Sequence, residues 1–196
     1  MESKNSSIQL IKSLSGHLII ARPQMQDPMF ERSVVYLCEH TTKGSMGVII
    51  NQQLGLLSFS ELLKEFKIDN HSNESSDRVN IHIGGPLDSV RTFVLHTSDF
   101  TKKSTYKINE TFSLSTSLEI FKAIAMGKGP RQCLVTLGYS GWEPGQLESE
   151  IQQNGWLIAP ADEEIVFMPD ISKKWEKAFS KIGVNIDTLS GYSGSA

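Results

Sequence analysis

Apolar and β-branched residues recur along the chain in short blocks separated by turn residues. "GHLIIAR" (Gly16 to Arg22) reads as a strand that Pro23 ends. "VVYLCE" (Val34 to Glu39) and "MGVIIN" (Met46 to Asn51) are further strands, and the "HTTKGS" between them carries hairpin chemistry. "VNIHI" alternates, with Val79, Ile81 and Ile83 on one face and Asn80 and His82 on the other, which predicts a half-buried strand. "GGP" (Gly84 to Pro86) stops it, and "VRTFVLH" follows as a strand. "YKI" and "FSL" are short strand blocks, "CLVTLG" is a continuous apolar run suited to a central strand, and "WLIA" and "EIVF" read as strands.

Helical spacing is found in four places. Ser58 with Glu61 forms a capping-box pattern ahead of Phe59, Leu62, Leu63 and Phe66. Thr116 with Glu119 caps "LEIFKAIAMG", which Gly127 ends. Pro144, at a first helical position, starts a helix to about Gln153, ended by Asn154-Gly155. Ser172 caps "KKWEKAFSKI", whose Trp175, Phe179 and Ile182 form one apolar stripe before Gly183. "QMQDPMFERS" and "KIDNHSNESSDR" are loops, and residues 1–14 and 184–196 are expected to pack loosely as termini. Many short strands with irregularly interspersed helices, and no strict strand–helix alternation, predict one α+β domain over residues 1–196. Its sheet is large, mixed and mostly antiparallel, flanked by three or four helices.

Composition narrows the function classes. A chain of 196 residues buries enough surface to need no disulfide or metal for folding. Its net charge of −3 opposes non-specific attraction to nucleic acid or anionic lipid. Cys38 and Cys133 both lie in apolar runs and are expected as reduced thiols. The opening "MESKNSSIQLIKSLSG" holds no continuous apolar segment, so neither a signal peptide nor a membrane span is expected there. A cytoplasmic location is expected, without a membrane partner, and the sequons at Asn5, Asn73 and Asn109 are then chance matches.

Motifs that carry chemistry are sparse. "GYSGW" follows a strand as a nucleophile elbow does, but Trp142 replaces the final glycine and the helix starts too late for Ser140 to sit on its N-terminus. The histidines His17, His40, His71, His82 and His96 form no close ligand pair and there is no C-x-x-C, so no metal is expected; no cofactor is expected either. "GKGPRQ" follows a helix and has a proline where a phosphate loop needs an N–H. His40 and His96 each end a strand, where they could orient a loop or meet a ligand. On the helix from Pro144, Gln146 and Glu150 lie one turn apart beside Trp142, with Leu147 and Ile151 on the neighbouring core face. "GYSGWEPGQLESE" is therefore expected to form a sharp structural corner that also walls a pocket.

Four segments together resemble the AlgH/YqgE family of bacterial proteins, over nearly the whole chain. They are "GHLIIARPQMQDPMFERSVVYLCEH", "GSMGVIIN", "GGPLDSVRTFVLH" and "GYSGWEPGQLESEIQQNGWL". Ser45 and Ser140 stand where alanine is usual. The resemblance implies an α+β fold with a split or bifurcated sheet. It also carries a transcriptional-regulator label given to part of that family. No helix-turn-helix or basic recognition helix accompanies that label here, so direct nucleic-acid binding is not expected.

Three readings follow. The first is a regulatory or binding module for a small molecule or a protein, using Asn51, Gly84, Gly85, Pro86, Trp142, Gln146 and Glu150. The second is an enzyme with an acid–base site built from Glu150 and a histidine, His96 or His40. The third is a transcriptional regulator acting through another protein or a metabolite.

Overall fold

The computed structural model describes residues 13–55, 57–69 and 79–186. Nine strands are described: β1 His17–Ala21, β2 Val34–Thr41, β3 Gly44–Ile49, β4 Ile81–Ile83, β5 Leu87–Thr97, β6 Tyr106–Lys107, β7 Phe112–Ser115, β8 Cys133–Trp142 and β9 Trp156–Pro160. Five α-helices accompany them: α1 Phe59–Glu65, α2 Leu118–Ala125, α3 Gln146–Gln152, α4 Glu163–Val166 and α5 Lys174–Lys181. The sheet runs β6-β7-β5-β8-β3-β2-β1-β9, with β4 attached to β8. Every ladder between these strands is antiparallel except β4 with β8. The fold is α+β with a mostly antiparallel sheet, as the residue pattern predicts.

The sheet splits at β8. Its first half pairs with β5 on one side, from His96↔Cys133 to Thr92↔Leu137, and with β4 on the other, from Ile81↔Val135 to Ile83↔Leu137. Its last residues pair instead with β3, from Gly47↔Ser140 to Ser45↔Trp142. The chain leaving β3 bonds to β4 through Ile49 N–H to Gly84 O, Ile83 N–H to Gln52 O and Leu54 N–H to Ile81 O. β4 is thus a wedge between β3 and β8, and the sheet opens into two arms around it.

Burial alternates between two covered faces, which is why the strands read as continuous apolar runs. Leu18, Ile20, Val34 and Tyr36 from one arm meet Phe93, Leu95 and Leu134 from the other, together with α4 and α5. The outward residues Ile81, Val94 and Val135 pack under α1 and α2. Ile19, Val35, Leu37 and Ile49 pack under α3 through Leu147.

Several expectations need correction. "EIVF" is helical, because the Asp162 side chain accepts the Ile165 N–H and caps a short turn. Pro144 lies before α3 rather than in it, since Gly145 at φ 78° is the N-cap. Ser117, not Thr116, is the N-cap of α2, and Ser172 lies in a 3₁₀ turn, Ile171–Lys173, ahead of α5. "GYSGW" is no corner: β8 runs through it to Trp142, kinked at Gly138 with φ 72°. His82 is 3% exposed rather than solvent-facing, because β4 is flanked by β8 on one side and by the 52–54 segment on the other and is covered on both faces. The loop at 70–78 and most of the two termini lie outside the described residues. The capping box of Ser58 and Glu61 is complete, and both cysteines are free.

The "GGP" turn crosses β8 with almost no space between backbones. A Cβ on Gly84 would overlap the Gly138 carbonyl oxygen, and one on Gly85 would overlap Tyr139 and the Ser140 hydroxyl; Gly85 also has φ 151°. Gly145 has positive φ but nothing within 4 Å of its Cβ position. Gly84→Ala is therefore expected to cost about 2–3 kcal/mol by overpacking. Gly145→Ala is expected to cost only about 1 kcal/mol, from conformational strain alone. Urea denaturation of the two variants checks this; equal losses would contradict the steric account of the crossing.

Candidate functional site

Glu150 sits on α3 beneath two tryptophans. Its Oε2 accepts the indole N–H of Trp142 at 3.0 Å and of Trp156 at 2.8 Å, and its Oε1 accepts the Gln146 amide at 2.9 Å. Gln146 Oε1 in turn accepts the Glu143 N–H at 2.9 Å. The carboxylate and its neighbour are therefore occupied by the chain's own donors. Trp142 and Trp156 are 6% and 2% exposed, with ring centroids 6.0 Å apart in an edge-on arrangement. Phe30 packs on both, at 6.2 and 5.4 Å.

The other sequence-derived residues are dispersed. His96 is fully buried on β5, its Nδ1–H donating to Thr97 O at 2.8 Å and its Nε2 accepting from the Ser115 hydroxyl at 3.0 Å. It belongs to the layer under α2, whereas Glu150 belongs to the layer outside the opposite arm, so the two do not meet. His40 accepts the Leu14 N–H on Nδ1 and places Nε2 3.2 Å from Glu148, not Glu150. An acid–base pair of Glu150 with either histidine is not assembled, because these side chains were grouped by residue type and the sheet separates them. Asn51 spends its amide on backbone, accepting from Val34 N–H at 2.8 Å and donating to Arg32 O at 2.9 Å. Gly84 N–H donates to Leu137 O, while Gly84 O accepts from Ile49 N–H and from the Ser140 hydroxyl at 3.2 Å. Pro86 is exposed. Ser140 is itself fully buried in β8, which leaves no nucleophile there. Burial pushes both thiols up, that of Cys133 to about 12, so neither is a ready nucleophile.

An open cleft lies elsewhere, between the 22–33 loop and α5, with a volume of ≈ 880 Å³. Pro23, Glu31 and Arg32 form one wall and Glu176, Ser180 and Asn185 the other. The loop is pinned at successive points. Met29 N–H bonds to Asp27 Oδ1, Gln52 donates to Met29 O, Phe30 enters the two-tryptophan cluster, and Asn51 holds Arg32 O. Arg32 has φ 51° and lays its guanidinium over the Trp175 ring, 4.6 Å from the centroid. Trp175 is anchored below by its N–H to Ala21 O at 2.8 Å. The Arg32 guanidinium also reaches Glu176 at 3.4 Å, an exposed pair. Neither Glu150 nor Trp142 lines this cleft. Sequence reasoning assigned Trp175 to the core and passed over Arg32. The available signal was the charged pair Glu31-Arg32 closing a proline-punctuated loop.

One buried polar pair lies inside the split sheet. Lys174 is 1% exposed, and its ammonium donates to Ile50 O at 2.9 Å and Val166 O at 2.7 Å; burial lowers its pKa to about 7. His82 has the backbone of Val135 and Asn80 beside its ring, but no aligned hydrogen-bond partner; burial, then the Lys174 charge, lowers its pKa to about 4.

This α+β fold, with its sheet split at β8, is shared with bacterial proteins. The AlgH-like family model, DUF179, matches residues 18–187, and the chain belongs to that family. A UPF0301 protein of Afipia carboxidovorans is 45% identical over 189 residues, covering 93% of this chain and 90% of that one. One from Pseudoalteromonas translucida is 40% identical over 186 residues, covering 95% of this chain and 100% of that one. The solution structure of the AlgH protein from Pseudomonas aeruginosa superposes with a TM-score of 0.76 at 38% identity, covering 100% of both chains. A Corynebacterium diphtheriae crystal structure, at 19% identity and TM-score 0.73 over 97% of this chain and 94% of that one, shares the fold.

Two predictions follow from the polar groups. Glu150→Ala strands two indole N–H groups and should cost about 2–4 kcal/mol, whereas Glu150→Gln keeps an acceptor and should cost about 1 kcal/mol. Equal losses in chemical denaturation, or unchanged tryptophan emission in Glu150→Ala, would contradict the clamp. The second concerns pH. His82 has a folded pKa below its unfolded value, so its contribution is full above pH ~6.5 and is lost as pH falls toward ~4, by roughly 3 kcal/mol. Lys174, also depressed, adds a second rise in stability above pH ~7 as the unfolded chain alone stays protonated. Stability measured from pH 4.5 to 9 should show both, and Lys174→Met should flatten the upper rise.

Proposed function

We propose that this chain is a non-catalytic binding module of the cytosol, taking a small molecule or a protein segment in the cleft between the 22–33 loop and α5. One contrast carries the reading. Three groups with the chemistry for proton transfer or nucleophilic attack, Glu150, His96 and Ser140, have hydrogen-bond partners within the chain. Arg32 does not: its guanidinium is exposed over Trp175, with only a long contact to Glu176. A non-glycine residue with φ 51° is uncommon, and such strain is retained where the surroundings over-determine it. Here Asn51 from below and Trp175 from the side do so. The family's transcriptional label is compatible with this module acting through a bound metabolite or protein.

The three tryptophans report on the two regions separately. A ligand screen read by indole N–H resonances should find compounds that shift Trp175 and leave Trp142 and Trp156 in place. Arg32→Ala should remove that response while changing stability by about 1 kcal/mol or less, because the ion pair is exposed and the ring contact modest. A ligand that instead shifts Trp142 and Trp156, or turnover that depends on Glu150, would overturn this reading.

A further inference from the structure

The cleft between the 22–33 loop and α5 carries three charges that the chain only partly matches. Arg32 lays its guanidinium on the Trp175 ring and sends one N–H group to Glu176 at 3.4 Å. That is long for a charge-assisted hydrogen bond. Its other guanidinium N–H groups meet no acceptor among the described residues. A guanidinium fork of this kind suits a carboxylate held through two N–H groups.

The remaining charges are acidic. Glu31 lies on the wall that carries Arg32, and Glu176 lies on the other. Glu31 forms no ion pair among the described residues. Carboxylates therefore outnumber the guanidinium two to one around the cleft. Pro23, Val184 and Ile186 add an apolar stretch, and the last two are half-buried against the core.

This pattern of charge selects among ligands, because like charges brought together oppose binding. A simple acid pairs with Arg32 but brings its charge against Glu31 and Glu176. A simple amine pairs with the two carboxylates but offers nothing to Arg32. A peptide end carries only one of the two charges, and the interior of a peptide carries neither. An α-amino acid holds a carboxylate and an ammonium on one carbon, and so answers both signs at once.

We propose that this cleft binds a free α-amino acid with a bulky apolar side chain. Its carboxylate lies on the Arg32 guanidinium, its ammonium between Glu31 and Glu176, and its side chain along Pro23, Val184 and Ile186. The assignment rests on the cleft being a binding site and adds the class of ligand. Asn51 holds the Arg32 carbonyl and Trp175 supports the guanidinium, so little ordering is left to be done on binding. A volume of ≈ 880 Å³ leaves room for a large side chain. Arg32, Glu31 and Glu176 are all exposed, so solvent screens them and the Kd is on the order of 1 mM.

Titration of the full, isotope-labelled chain with L-phenylalanine, read by indole N–H resonances, tests this. Trp175 should shift and saturate while Trp142 and Trp156 stay in place. Phenylpropionate and phenethylamine, which each lack one charge, should bind at least about fivefold more weakly. Arg32→Gln should weaken L-phenylalanine binding about tenfold. Replacing both carboxylates, Glu31→Gln together with Glu176→Gln, should reverse the preference, so that phenylpropionate binds more tightly than L-phenylalanine. These side chains are exposed, and unchanged Trp142 and Trp156 resonances report that each variant is folded. An acid or amine that equals L-phenylalanine on the unaltered chain overturns the proposal. So does an unchanged affinity in Arg32→Gln or an unchanged preference in the double variant. No Trp175 shift with L-phenylalanine, L-leucine or L-methionine up to about 20 mM also overturns it. If a compound of another class then moves Trp175, the cleft stands as a binding site and only the ligand class is wrong. An amino acid that moves Trp142 and Trp156 instead overturns both.

Discussion

Two backbones touch where the "GGP" turn crosses β8, and the split sheet depends on that contact. Gly84 bonds to Leu137 through its N–H, while its carbonyl collects Ile49 and the Ser140 hydroxyl. One residue thus ties together β3, β4 and β8, the three strands that meet at the split. The absence of a side chain at Gly84 and Gly85 sets the spacing, because both Cβ positions are already filled by β8 atoms. From the far side, Gly138 kinks β8 toward Gly85 O and Leu87 O, so that one strand serves both arms. The double-faced arms then need three separate apolar layers. That need explains why β1, β2 and β3 are apolar on both faces.

The same demand for cover decides the fate of the polar residues. Inside the fold, a group with chemical potential is a cost unless it is bonded. Glu150 is kept partly buried by receiving two indoles; His96 is held between a carbonyl and a hydroxyl; Lys174 is met only by carbonyls and shifts toward neutrality. Glu150, His96 and Ser140 looked reactive by type, and each is hydrogen-bonded within the fold. The Arg32 guanidinium of the 22–33 loop stays exposed over Trp175.

Much of the architecture was legible. Turn residues and β-branched blocks located all nine described strands, and the Ser58 capping box located a helix end. Legibility failed where neighbours rather than local pattern decide. "EIVF" has strand propensity, yet Asp162 caps it into a turn that plugs the space between the arms. His82 alternates as a solvent position, but β4 has no solvent face. Spacing placed Gln146, Glu150 and Trp142 together correctly. What it could not show was that they bond one another, because a carboxylate aimed at a ligand and one aimed at two indoles have the same sequence spacing. Arg32 was invisible for the opposite reason: its significance comes from Trp175, far along the chain, and from a backbone angle.

The indole clamp and the cleft are joined by a short stretch of chain. Phe30 is seated on Trp142 and Trp156, whose orientation Glu150 fixes, and Arg32 follows two residues later with its carbonyl held by Asn51. The segment between has little freedom, since Ser33 N–H bonds back to Phe30 O. Glu150 and Arg32 thus lie at two ends of one pinned stretch: the carboxylate orients the indoles on which Phe30 sits, and Asn51 holds the carbonyl of Arg32 two residues on. A carboxylate that lines no part of the cleft thus still helps to fix one of its walls, because the 22–33 loop has no regular secondary structure of its own to hold it.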